Sequence, residues 1–156
     1  MTNKYIYFIA NWKMFGNLQS LNSVSKVASF VKKFKKNKIK LVYCLPATLI
    51  DSFSKKFKSS SIDVGAQNCH HDESYGAYTG HINSYMLKDA GAKYIILGHS
   101  ENRQSGENNN LINLKIKNSI KSGLKIIFCI GETLSQKRKK NKKKILYQQI
   151  TQGLKD

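Results

Sequence analysis

The chain has 156 residues, 40% of them hydrophobic and 23% charged, and its 27 basic residues against 9 acidic ones give a formal charge of +18. That composition excludes a disordered chain, and the length suits one domain over residues 1–156. No apolar run reaches the ~18 residues of a membrane span. Cys44, Cys69 and Cys129 carry no C-x-x-C spacing, which argues against a disulfide framework or a zinc knuckle.

Tyr5–Ala10 is apolar, rich in aromatic and β-branched residues, and predicts a first strand. It is too short for a signal-peptide core, and no small-residue cleavage site follows, so the expectation is a reduced, cytoplasmic protein. Leu21, Val24, Val27, Val31 and Phe34 recur at spacings of three and four and predict an amphipathic helix. Ile39–Cys44 reads as a second strand. Pro46 then opens a helix carried by Leu49, Phe53 and Phe57. Ile62–Ala66 is a third strand and 68–80 a long polar loop. Met86–Ala90 reads as a short helix stopped by Gly91, and Tyr94–Leu97 as the fourth strand. Leu111, Leu114 and Ile120 mark a helix closed by Gly123. Ile126–Ile130 is the fifth strand, and Ile145, Leu146, Ile150 and Leu154 suit a last helix.

Alternation of strand and helix argues for α/β, and continuous apolar strands such as YIIL argue for a parallel sheet covered on both faces. An eight-unit (β/α) barrel uses about 31 residues per unit. The chain therefore matches either about five units of such a barrel or a complete five-stranded open sheet. In both, ligands bind at the C-terminal ends of the strands. Those ends carry Asn11 and Lys13 after strand one, Gln67 and Asn68 after strand three, His99 and Glu101 after strand four, and Gly131 and Glu132 after strand five. An amide, an ammonium and an imidazole facing one pocket polarise a carbonyl and hold an anion. His99 precedes a helix start, where the positive end of the dipole favours a neutral ring.

All the basic residues except Arg103 and Arg138 are lysines, and Asn and Ile are also abundant. These residues share A/T-rich codons, so base composition accounts for the charge without an anionic partner. Dedicated nucleic-acid surfaces lean on arginine, and nucleic acid is not the expected partner here. The run from Lys137 to Lys144, KRKKNKKK, reads as a solvated helix face or a frayed helix start.

Four segments resemble triosephosphate isomerases. They are Asn11-Trp12-Lys13-Met14-Phe15-Gly16-Asn17; Gly65-Ala66-Gln67-Asn68 with Gly76-Ala77-Tyr78-Thr79-Gly80; Leu97-Gly98-His99-Ser100-Glu101; and Cys129-Ile130-Gly131-Glu132-Thr133. Their order and spacing resemble that family over nearly the whole chain. The resemblance implies an incomplete (β/α)8 barrel of about five parallel β/α units. It implies a glycolytic and gluconeogenic aldose–ketose isomerase that interconverts dihydroxyacetone phosphate and glyceraldehyde 3-phosphate through an enediolate. By matching position, His99 is the catalytic electrophile and Lys13 stabilises the developing charge and binds the phosphate. Asn11 holds the enediolate oxygen, and Glu101 and Ser100 support the site. Cys129 has a packing role. No metal and no organic cofactor are implied. The family's homodimer places Thr79 of the third loop toward Asn11 of the other subunit.

The sequence departs from the family in two ways. The catalytic glutamate after strand six, the lid that follows it and the later phosphate loops have no counterpart here. Glu132 matches a fifth-strand position that is not the base, so the 156 residues alone are expected to show at most trace activity. His81 and Asn102 stand where the family commonly has Glu and Arg. Strands one and five would keep open edges, which predicts aggregation or a molten state. The alternative is a catalytically dead half-barrel that binds nucleic acid or another anion through its basic surface. The loop residues Cys69-His70-His71-Asp72-Glu73 are metal-ligand types, but neighbours on a loop are not expected to converge on one ion.

Overall fold

Five parallel strands lie side by side in chain order, β1-β2-β3-β4-β5, in a computed structural model that describes residues 5–33 and 38–156. The strands are β1 (Ile6–Asn11), β2 (Ile39–Leu45), β3 (Ile62–Ala66), β4 (Tyr94–Leu97) and β5 (Lys125–Phe128). Strictly sequential parallel order fits a sheet curling toward a barrel. It does not fit a doubly wound sheet, whose strand order reverses. The register sets Phe8 beside Leu41 and Asn11 beside Cys44, so the C-terminal ends form one rim.

Among the described residues seven α-helices follow or join these strands: α1 (Val24–Lys32), α2 (Ala47–Lys56), α3 (Ser84–Asp89), α4 (Ser100–Gln104), α5 (Asn109–Lys121), α6 (Leu134–Arg138) and α7 (Lys142–Gly153). A 3-10 turn, Gln19–Ser23, leads into α1. Phe34, expected on the first helix, lies outside the described residues.

Strand periodicity of two splits the interior into two layers. Leu45, Ile95 and Leu97 face the helices and pack with Ile50, Phe53, Ile112 and Ile116. Val42, Cys44, Tyr94 and Ile96 face the concave side, with Ile127 and Cys129 against them. Phe53 is fully buried beside Phe57 and Tyr43. Truncating such a residue to alanine costs about 3–5 kcal/mol.

Three sequence expectations need correction. Strand five ends at Phe128, two residues short of Ile130. Helix α5 buries a different face from the Leu111-Leu114-Ile120 stripe. Ile112, Lys115, Ile116 and Ser119 point inward, while Leu114 and Ile120 are exposed. A buried lysine disguised that face: Lys115 Nζ meets Glu107 Oε1 and donates to Asn68 Oδ1 at 3.1 Å. The lysine run is also more than one helix face. It spans the end of α6, a turn through Lys140 at positive φ, and the first turn of α7, and is exposed throughout.

β1 and β5 each pair on one side only. Ile6, Phe8 and Ile9 are 62%, 55% and 42% exposed, so both faces of β1 meet solvent.

Candidate active site

Asn11 ends β1, and the chain then turns sharply through Lys13, whose φ is +57°. An L-residue in that region is strained, by about 1–3 kcal/mol where the backbone is sparsely populated, and the surroundings hold it there. The Asn11 side-chain oxygen accepts from the Lys13 backbone N–H at 3.0 Å. Gln67, just past β3, locks the same turn: its amide nitrogen donates to Lys13 O at 2.8 Å, Cys44 O at 3.1 Å and Asn11 Oδ1 at 3.2 Å. One side chain thus ties three strand ends together.

The turn aims Lys13 across the rim at the end of β4. Its Nζ lies 3.0 Å from His99 Nε2 and donates to Glu101 Oε1, also at 3.0 Å. His99 caps α4, its Nδ1 accepting from the Glu101 backbone N–H at 3.3 Å. That bond favours the ring proton on Nε2, the nitrogen facing the pocket, whereas the Lys13 ammonium can only donate to that same nitrogen, so the two contacts compete for the tautomer. Glu101 Oε2 also lies 3.4 Å from Nδ1, which would form an ion pair with a protonated ring. The backbone bond is the better guide, because the carboxylate is exposed and already engaged by lysine. Hydrogen bonding from Lys13 holds the Glu101 carboxyl below its usual range.

Gly98 lets the chain reach His99. Its φ is +73°, and a Cβ there would stand 2.9 Å from Cys129 O. Arg103 fixes the same corner: Nε donates to Gly98 O at 2.7 Å, and the two terminal nitrogens reach Asn109 Oδ1 at 2.7 Å and Cys129 O at 3.3 Å. Behind it, burial pushes the Cys44 thiol up to about 12 and raises Cys129 as well. Both thiols stay protonated at neutral pH, as packing residues do.

Ser100 begins α4, exposed beside His99, and Thr79 stands exposed in the turn of the third loop. Asn11, Lys13, His99 and Glu101 therefore come together at one rim, with Ser100 at its edge and Thr79 on a separate loop. Glu132 lines, with His99 and Arg103, a cavity of about 740 Å³. Its Oε2 is buried without a hydrogen-bond partner.

The family model described as triosephosphate isomerase matches residues 6–156. The chain belongs to the triosephosphate isomerase family. It is 36% identical over 151 residues to the triosephosphate isomerase of Bartonella tribocorum, covering 96% of this chain and 59% of that one. The enzyme of Alkaliphilus oremlandii is 41% identical over 128 residues, 81% of this chain and 50% of that one. The crystal structure of triosephosphate isomerase from Bartonella henselae superposes with a TM-score of 0.90 at 34% identity, covering 96% of this chain and 62% of that one. The chain thus spans half to three-fifths of the length of these relatives, and its curled five-stranded sheet is an incomplete barrel of their kind.

Gln67 and Arg103 support this rim, and neither has a task that the sequence alone reveals. The sequence places Gln67 at the rim without a partner and shows Arg103 only as one of two arginines. Each acts through backbone carbonyls distant in sequence, a relation no local pattern carries. Among the described residues no helix is long and apolar enough to cross a membrane.

Proposed function

We propose that this chain supplies the electrophilic half of a triosephosphate isomerase site. The substrate is a three-carbon phosphorylated ketose or aldose. A carboxylate base removes the proton from the hydroxyl-bearing carbon next to the carbonyl, and the electron pair moves onto the carbonyl oxygen; the enediolate oxygen then gains the proton that the neighbouring hydroxyl loses, and the base returns its proton to the former carbonyl carbon, leaving the carbonyl on the other carbon. His99 Nε2–H and Lys13 face that oxygen as it becomes an enediolate, and Lys13 also balances the phosphate. Asn11 holds the turn that delivers Lys13, and Glu101 steers its ammonium. No organic cofactor has a role in this scheme. The single observation that carries the reading is Lys13 Nζ at 3.0 Å from both His99 Nε2 and Glu101 Oε1.

The base is not Glu132, which follows β5 rather than a sixth strand. The 156 residues alone are therefore expected to turn over only traces of substrate. A segment carrying the family's strands six to eight is expected to restore activity when added. The test is a coupled isomerase assay on the purified chain with and without that segment. Turnover near a typical ~10 per second without it overturns the reading. As a homodimer, the protein would bring Thr79 of one copy toward Asn11 of the other, which cross-linking between those loops would detect. The place of action expected for such an enzyme is the cytoplasm.

A further inference from the structure

Three of the chain's four histidines gather on the loop after β3, and the fourth is His99. The rings of His70 and His71 lie 4.3 Å apart between centroids, and His81 packs on His70 at 4.5 Å. Ligand atoms of His70, His71 and Asp72 all fall within 4.8 Å of one another. Consecutive loop residues were expected not to converge in this way. They do so because the loop is pinned on both sides. The His70 backbone N–H donates to Ile82 O at 2.8 Å, and Asn118 Nδ2 donates to His71 O at 2.6 Å.

One buried polar atom here lacks a partner. The Asp72 backbone N–H approaches His70 Nδ1 at 3.4 Å, a long contact. Yet Asp72 Oδ2 lies 3.3 Å from the same nitrogen, buried and without a hydrogen bond. A buried carboxylate oxygen without a hydrogen bond beside an imidazole nitrogen is costly in a poorly hydrated spot, and a cation joining both relieves it, even with the Tyr78 hydroxyl also hydrogen-bonded to Asp72. The neighbouring cation Lys115 is already paired with Glu107. Beside the cluster a cavity of about 270 Å³, lined by His70, Tyr78, His81 and Asn83 among others, leaves room for a water ligand.

We propose that His70, His71 and Asp72 form a binding site for a transition-metal dication of the zinc type. Two imidazoles and one carboxylate are a borderline donor set that suits Zn²⁺ and disfavours Mg²⁺. Bonds of about 2.0–2.2 Å set tetrahedral donors about 3.4 Å apart, so the three arms close inward by about 1 Å when the ion enters. Water, or the exposed His81 ring, takes the fourth position. The site lies on the loop and needs neither substrate nor the missing strands, so it stands or falls separately from the isomerase reading.

The experiment is a titration of the purified chain with Co²⁺, read by visible absorption, then displacement by Zn²⁺. The result expected is a tetrahedral cobalt band that saturates at one equivalent and is lost to Zn²⁺ but not to Mg²⁺. His71→Ala and Asp72→Asn should each weaken Zn²⁺ binding about tenfold or more. Asp72→Asn keeps the side-chain shape, and circular dichroism without metal checks that each variant retains the fold of the parent. His99→Gln, which removes the remaining histidine, should bind as the parent does. Absence of the cobalt band overturns the proposal. So does equal Zn²⁺ affinity in parent and Asp72→Asn, or loss of binding in His99→Gln.

Discussion

Lys13 Nζ and His99 Nε2 stand 3.0 Å apart although 86 residues separate them in the chain. A lysine ammonium is only a donor, and His99 Nε2 carries a proton when Nδ1 accepts from Glu101. In that tautomer two donors face each other at 3.0 Å, an unfavourable contact that an oxygen accepting from both would relieve. Glu101 keeps Lys13 in place meanwhile. Replacing Lys13 by Met keeps an unbranched side chain one atom shorter and removes the charge. In the enzyme completed by strands six to eight, Lys13→Met should lower kcat/KM by about 100- to 1000-fold, the loss seen when one stabilising donor is removed from an oxyanion site. A loss under about threefold in steady-state kinetics would remove Lys13 from the chemistry.

Glu101 gives a pH-dependent readout of the same contact. Its folded pKa lies below the unfolded value, chiefly because Lys13 hydrogen-bonds to the charged form. A depressed carboxyl contributes stability that is present above its unfolded pKa, near 4.3, and is lost as pH falls through the folded value. The pair is exposed, so its effect on stability is small. Carbon-13 NMR should place the Glu101 titration midpoint below the ordinary carboxylate range. Lys13→Met should move the midpoint back up. A midpoint indifferent to Lys13 would show that the contact does not persist in solution.

The strands were legible because each is a short apolar run between turn signals, and the site was legible because parallel strands deliver their C-terminal ends to one rim. Asn11, Lys13, His99 and Glu101 could be placed there from spacing alone. The face of α5 was not legible. Lys115 is buried on it, and its partners Glu107 and Asn68 lie on other segments. The histidine loop was unreadable for a related reason: ring positions on an irregular loop follow from bonds to Ile82 and Asn118, not from a period.

Arg103 tests the support beneath His99. Its guanidinium serves three oxygens in a fixed fork, and lysine cannot reproduce that geometry. Arg103→Lys should leave at least one of these acceptors unpaired and cost about 1–3 kcal/mol. Urea unfolding measures that loss as a lower midpoint. Gly98 O, one of the acceptors, precedes His99, so the His99 ring resonances should shift in the same variant. An unchanged midpoint with unchanged His99 resonances would mean that Arg103 is only a surface residue.

The open edges make the last prediction. β3 is flanked by β2 and β4, whereas β1 has a neighbour on one side and large apolar side chains exposed on both faces. Amide exchange reports local opening, which is easiest where few buried contacts resist it. Amides of Val64, Gly65 and Ala66 should therefore exchange far more slowly than those of Tyr7, Phe8 and Ile9. The same exposed strand is a template for pairing with another chain, and a charge on it blunts that tendency. Phe8→Lys should reduce binding of a hydrophobic dye and the aggregated fraction at high concentration, without a change in far-UV circular dichroism. The added segment of strands six to eight should protect β1 amides and suppress dye binding together, because one surface accounts for both. If the segment restores catalysis while β1 stays unprotected, the active site assembles without closing the sheet at that edge, and the link between barrel closure and activity fails.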